Sequence, residues 1–456
     1  MMAPGLVSRS LSRMRELMAS ATARRNEPTE RTLERIREQL RECAEGRGGE
    51  ISTRQRAARL AETYLRLDDG GRHAFLRIIA VEFGPDPQRI AAAHQTFQDA
   101  VGSARQWDAE AELRAAMRSA RIRILTQFNA IPQGVKFLVD LRADLLRFLR
   151  DDPELKPLDR ELEARLAAWF DVGFLELSCI TWESPAALLE KLVEYEAVHE
   201  IRSWTDLKNR LGADRRCYGF FHPRMPLEPL IFVEVALLET LADNVQVLLD
   251  EHAPVLDPHK ARVAVFYSIS NTQAGLRGVS FGNFLLKRVV EDLKRDFPRL
   301  ETFATLSPIP GLAGWALRQP EALAGALTER DRKRVATAGA DPERLAEVLA
   351  EPAWAQNAAL VDALRDPLQR VAADYLLHAQ HKGRPLDAVA RFHLGNGARV
   401  ERLNWQADTS PKGLAQSWGM MVNYLYDPER IEQNLEAFAA SGRIDASAAV
   451  RRQGRR

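Results

Sequence analysis

The sequence predicts an α+β protein of two domains, an all-α helical bundle over residues 1–165 and a mixed α/β domain over residues 166–456. Three observations carry this reading. Apolar residues recur at spacings of three and four as far as about Arg165, and short β-branched and aromatic runs bounded by turn residues begin directly after it. A stretch rich in Ala, Leu and Arg at about 312–386 then interrupts the strand pattern and reads as a helical insertion.

In the first domain, Met1–Arg25 holds five arginines and one acid, faintly like a transit peptide, but has no apolar segment suited to secretion and reads rather as a plain first helix. Thr29, just after Pro28, starts a helix with the stripe Leu33, Ile36, Leu40 and Cys43. Ala57, Leu60, Tyr64 and Leu67 form the next stripe, ended by Asp68-Asp69-Gly70-Gly71. Leu138, Leu141, Leu145 and Phe148 form a third, stopped by Asp151-Asp152-Pro153, and Leu158, Leu162, Leu166 and Trp169 a fourth. Such stripes are the core faces of an antiparallel bundle.

The second domain opens with predicted strands at Phe174–Trp182, Cys217–Phe221, Pro229–Leu237 and Ala261–Ser270. The last runs into a glycine-bearing turn and then a helix with the stripe Phe284, Leu285, Val289 and Leu293, closed by Phe297-Pro298. A strand follows at Glu301–Leu306. After the insertion, Val389–Leu394 and Ala398–Trp405 read as a hairpin joined by Gly395-Asn396-Gly397.

Composition narrows the function. Lys and Arg number 64 against 63 Asp and Glu, a formal charge of +1, so no global field favours nucleic acid. No apolar run approaches the ~18 residues of a membrane helix, since the best, Pro229–Leu238, carries Glu234. The 3 cysteines, Cys43, Cys179 and Cys217, form no CxxC pair and suit a reducing compartment. The preference for Arg over Lys suits a GC-rich bacterial genome, so a bacterial cytoplasm is the expected location. His378 and His381 stand at i and i+3, but no carboxylate or cysteine completes a metal set around them, and no metal is expected.

The segment Gly275-Leu-Arg277-Gly278-Val-Ser280-Phe-Gly282-Asn283 places three glycines between a strand and a helix, where backbone N–H groups and the helix dipole suit a pyrophosphate. Its spacing is neither GxGxxG nor GxxxxGK[ST]. It resembles the acyl-CoA loop of GNAT-type N-acyltransferases, with Ser280 in place of the usual middle glycine. The resemblance sharpens with Phe266-Tyr-Ser-Ile-Ser-Asn-Thr-Gln-Ala-Gly-Leu276, Thr305-Leu-Ser307-Pro-Ile-Pro-Gly311, Phe392-His393-Leu-Gly-Asn-Gly-Ala398, Asn404-Trp405 and Met421-Val-Asn-Tyr-Leu-Tyr426. In this order and spacing they are similar to the malonyl-CoA decarboxylase family.

That resemblance implies a GNAT-like catalytic domain (acyl-CoA N-acyltransferase fold) behind a helical bundle, converting malonyl-CoA to acetyl-CoA and CO2. It assigns Ser307 and His393 as the catalytic pair, Tyr426 as an active-site tyrosine, and Arg277, Gly278, Val279, Ser280, Phe281, Gly282 and Asn283 as the CoA loop. It also implies a homo-oligomer, dimer or tetramer, a role in malonate or fatty acid metabolism, and no cofactor beyond the CoA of the substrate. A glutamate is expected by the family at Ser280, so an acidic role is absent here or filled elsewhere. The rival readings are an acyl-CoA-dependent acyltransferase and a non-catalytic malonyl-CoA sensor or scaffold.

The chemistry fits these residue types. Decarboxylation of a malonyl thioester sends two electrons into the thioester carbonyl, so the protein must stabilise an enolate oxygen and deliver a proton to the α-carbon. A backbone N–H at the end of the Arg262–Ser270 strand suits the first task. Ser307 suits the carboxylate, holding its C–C bond perpendicular to the thioester plane. His393 suits the proton, since imidazole has an ordinary pKa of ~6.5. A hydrolase reading lacks a GxSxG elbow around Ser307. The bundle contributes no motif residue, so its expected work is association between subunits.

Overall fold

The computed structural model describes residues 29–46, 49–279 and 285–454, so the expected helix at Met1–Arg25 lies outside the described residues. Two compact units form: a helical unit to Leu175, which also takes in residues 222–226 and 273–279, and a sheet unit of the remainder.

The helical unit has eight α-helices among its described residues: α1 Glu30–Glu45, α2 Glu50–Arg66, α3 Asp69–Glu82, α4 Pro87–Ala100, α5 Gln106–Ala116, α6 Arg121–Asn129, α7 Gly134–Phe148 and α8 Lys156–Trp169. Thr29 caps α1 by accepting the Thr32 N–H, and Gly46 ends it in the left-handed region. The predicted stop at Asp68–Gly71 is also a start. Asp68 Oδ1 accepts the Gly71 N–H at 2.8 Å, and both glycines fall in the first turn of α3. The predicted stripes close the core: Ile36, Leu40, Leu60, Leu138, Leu141, Leu145, Leu158, Leu162 and Leu166 are each 0% exposed.

In the sheet unit an eight-stranded sheet runs in the order β1 (Glu176–Ile180), β2 (Arg215–Phe221), β3 (Pro229–Leu238), β4 (Val263–Asn271), β5 (Thr302–Thr305), β10 (Met421–Tyr426) and β6 (Ser307–Pro308). β9 (Arg399–Asn404) pairs with β10, while β7 (Gln380–His381) and β8 (Arg384–Pro385) form a separate ribbon. β3 is central and almost wholly apolar. Its one acid, Glu234, is buried against Arg210, which also pairs with Asp206. Helix α9 (Leu285–Asp296) follows β4, and α10 (Ala358–His378) is the longest element of the predicted insertion.

One local prediction is corrected. Val389–Leu394 is not the first strand of a hairpin but lies in helix α11, Ala388–Gly395. A short apolar run does not distinguish strand from helix by period. The capping signal lay just before it: Asp387 Oδ1 accepts the Ala390 N–H at 2.9 Å. Gly395-Asn396-Gly397 closes that helix instead of turning a hairpin, and an added Cβ at Gly397 (φ +82°) would meet the Ile431 carbonyl oxygen at 2.3 Å.

Candidate active site

β4 and β5 pair in parallel, with Val263–Phe266 against Thr302–Thr305. The Leu306 N–H still reaches the Phe266 carbonyl at 3.0 Å. Beyond it the two chains part. β4 continues against β3 through a bulge at Tyr267, and Ser307 turns to pair with Val422 of β10. The parting leaves a cavity of about 220 Å³ whose lining includes Val198, Phe266, Ser268, Ser307, Phe392 and His393.

Helix α11 brings His393 to the mouth of β6. His393 Nε2 lies 3.1 Å from Ser307 Oγ, and Nδ1 lies 2.8 Å from the Tyr426 hydroxyl. Ser307 Oγ donates to Thr305 Oγ1 at 2.8 Å, and that oxygen also accepts the Tyr424 N–H at 3.1 Å. With the Ser307 hydrogen directed to Thr305, the imidazole tautomer that completes both contacts carries its proton on Nε2, donating to Ser307, and accepts from Tyr426 at Nδ1. The chain therefore runs Tyr426, His393, Ser307, Thr305 with every hydrogen pointing the same way. A serine nucleophile would need the reverse, its hydrogen on the imidazole.

All four groups are buried, His393 at 3% and Ser307 at 4% exposure. Burial pushes the His393 pKa down to about 3 and lifts both Tyr424 and Tyr426 well above the ordinary phenol value. The resting imidazole is thus neutral at pH 7, which corrects the expectation of an imidazolium titrating near 6.5. Tyr424 stacks on the ring of His393 with 4.6 Å between centroids. Asn423 holds the Thr305 carbonyl through Nδ2 at 2.7 Å.

Of the residues singled out in the sequence, Ser307, His393 and Tyr426 are brought into one chain. Arg277, Gly278 and Val279 fold with the helical unit, and Ser280, Phe281, Gly282 and Asn283 lie outside the described residues. Thr305 was missed, though it precedes Ser307 by two on an extended segment and so shares its face. Tyr424, to which the sequence reading gave no role, is the stacking partner of the imidazole. His378 pairs with Asp374 at 3.0 Å, His381 sits in β7, and among the described residues no group of three or more His, Cys, Asp or Glu could hold a metal ion.

Two family models match this chain: the malonyl-CoA decarboxylase N-terminal domain over residues 83–170 and the C-terminal domain over 173–456. The mitochondrial malonyl-CoA decarboxylase of Anser anser anser is 40% identical over 419 residues, 87% of this chain and 82% of that protein. That of Rattus norvegicus is 39% identical over 405 residues, 86% of this chain and 81% of that protein. Among solved structures, malonyl-CoA decarboxylase from Rhodopseudomonas palustris is 42% identical with a TM-score of 0.83, covering 92% of this chain and 99% of that one. The one from Cupriavidus metallidurans is 45% identical with a TM-score of 0.71, covering 93% and 100%. The chain is therefore an α+β carboxy-lyase, with an imidazole enclosed between two hydroxyl groups beside a small cavity. It belongs to the malonyl-CoA decarboxylase family.

Proposed function

We propose that the cavity beside Ser307 and His393 converts malonyl-CoA to acetyl-CoA and CO2, with CoA entering only as part of the substrate. The observation that carries this is the hydrogen-bonded chain Tyr426, His393, Ser307, Thr305, of which Ser307 and His393 line the cavity. As the malonyl carboxylate enters, the Ser307 hydroxyl turns from Thr305 and Nε2 of His393 from Ser307, so that both donate to it. The bond between that carboxylate and the α-carbon breaks, its electron pair moves to the thioester carbonyl, and CO2 leaves. Backbone N–H groups of the bulged segment of β4 take the enolate oxygen; one preorganised donor of this kind is commonly worth ~10²–10³ in rate.

The proton for the α-carbon comes from His393. In the empty cavity burial keeps the ring neutral, but a bound carboxylate supplies the opposite charge that offsets this penalty, so the ring takes up a proton with the substrate. Decarboxylation moves the negative charge from carboxylate to enolate, and the imidazolium then neutralises it by giving its proton to carbon. Tyr426 keeps Nδ1 oriented throughout. Positioned acids of this type contribute ~10²–10⁴ in rate.

The parallel pair that parts after Phe266 supports a GNAT-like reading of the sheet unit, with residues 312–386 as its helical insertion. Self-association is supported by the α4–α5 hairpin, where Val101, Trp107 and Met117 are 60%, 74% and 59% exposed. Among the described residues no helix is long and apolar enough to cross a membrane. Incubating purified protein with malonyl-CoA and no acceptor tests the activity. Stoichiometric CO2 and acetyl-CoA support it; intact malonyl-CoA, or turnover only with an added amine, would overturn it.

A further inference from the structure

We infer that Arg142, on helix α7 of the helical unit, is a positioning residue for substrate binding: it sets the backbone of the loop at Gly275–Gly278 so that the loop receives the CoA pyrophosphate. The inference rests on the reading of Arg277–Asn283 as the CoA loop and adds to it a residue from a different part of the sequence.

Arg142 is 1% exposed, which is rare for arginine unless every donor has a use. Its Nη1 donates to the carbonyls of Gly275 at 2.9 Å and Arg277 at 2.7 Å. Its Nε donates to Asp159 Oδ1 of α8 at 2.9 Å, and Nη2 lies 3.6 Å from Glu163 Oε2. The guanidinium thus ties two helices to two successive turns of the loop. The approach is as close as backbone permits: a Cβ on Gly275 would stand 1.8 Å from the Val139 carbonyl oxygen of α7. Gly278 adopts φ +86°, and a Cβ there would stand 2.6 Å from Glu163 Oε1.

Peptide geometry connects this clamp to ligand recognition. In a trans peptide the C=O and the following N–H point in opposite directions. Holding the Arg277 carbonyl on Arg142 therefore aims the Gly278 N–H away from the guanidinium. Holding the Gly275 carbonyl does the same for the Leu276 N–H, which closes the short turn Ala274–Leu276 on the Gln273 carbonyl at 3.0 Å. An anion-binding loop depends on such fixed N–H directions, since an amide that must reorient loses much of its advantage over water. The helical unit thereby has a part in substrate binding beyond the association expected of it from sequence.

The test is steady-state kinetics with malonyl-CoA and calorimetric binding of CoA to the full chain. The variants are Arg142→Lys, Arg142→Met and Gly275→Ala, with Arg277→Ala as the probe of the loop itself. Arg142→Lys keeps the charge and loses the fork; KM should rise about tenfold and CoA binding weaken equally, with kcat within about threefold, and Arg142→Met should do more. If Arg142→Met does not fold, Arg142→Lys and Gly275→Ala carry the test. A merely structural role would lower the active fraction and kcat and leave KM unchanged, which would overturn the inference. CoA binding weakened by Arg277→Ala but untouched by Arg142→Lys and Gly275→Ala would also overturn it while leaving the loop reading intact. CoA binding untouched by all four substitutions would remove the loop reading and the inference together.

Discussion

Tyr424 and His393 lie ring on ring, with 4.6 Å between centroids and 23° between planes, so the imidazole that donates to Ser307 is held in position from its face as well as from Nδ1. Two rings of one strand serve the same histidine. Tyr424 supplies the stacking surface and Tyr426, two residues on, supplies the hydroxyl.

Tyr426→Phe removes the donor to Nδ1 and little volume. The imidazole can then place its proton on Nδ1 and present a bare Nε2 to Ser307. We expect kcat to fall about 10- to 100-fold with KM for malonyl-CoA within about threefold, as measured by acetyl-CoA formation. Unchanged kcat would remove Tyr426 from the proton chain.

The neutral resting imidazole makes substrate binding a proton-uptake event. Calorimetric binding of a non-decarboxylating malonyl-CoA analogue at pH 7.5, repeated in buffers of different ionisation enthalpy, should show uptake approaching one proton in wild type and near none in His393→Ala. Equal uptake in both proteins would place the proton elsewhere.

Two buried groups give opposite pH signatures in stability. His393 has a folded pKa of about 3, below its ordinary 6.5, so its contribution is present above about pH 6.5 and is lost as pH falls toward 3. Glu234 is pushed up to about 8, first by burial and then by Glu196, so its contribution is present below about pH 4.5 and is lost as pH rises through 8. Each slope is at most about 1.4 kcal/mol per pH unit. Melting curves should show Glu234→Gln gaining on wild type between pH 5 and 8, and His393→Asn gaining on it between pH 6.5 and 4.5. Parallel curves in either comparison would reject that assignment.

Metal removal should leave turnover intact, because the proposed steps use only hydrogen-bond donors and one acid. Exhaustive EDTA treatment followed by assay checks this, and activity lost to EDTA and restored by Zn²⁺ or Mg²⁺ would contradict it.

Self-association through the α4–α5 hairpin predicts a light-scattering mass of at least twice the 51.3 kDa of one chain at micromolar concentration. Trp107→Glu should lower that mass without lowering the melting temperature, since the side chain is exposed. A monodisperse particle of one chain in the wild type would refute it.

Much of the fold was legible because its signals are local. The leucine stripes of α1, α2, α7 and α8 and the β-rich runs of β2, β3 and β4 follow from period and residue type. Helix α11 was misread because a short apolar run fits either period, and its deciding signal was the cap at Asp387 rather than the run itself. The site residues Ser307, His393 and Tyr426 were reached through motif resemblance, not through period or charge. Arg142 was not legible at all: it stands 133 positions before the carbonyl of Gly275 that it holds, and one arginine on a helix looks like any other until its burial is seen.

The central claim is that the buried pair Ser307 and His393 performs the decarboxylation. Its most direct test is acetyl-CoA formation from malonyl-CoA, followed by mass spectrometry in the wild type, Ser307→Ala and His393→Ala, with CoA affinity measured on the same preparations. The account predicts that kcat falls at least about 100-fold in each variant while CoA still binds as in wild type. Acetyl-CoA produced by either variant at the wild-type rate would contradict it.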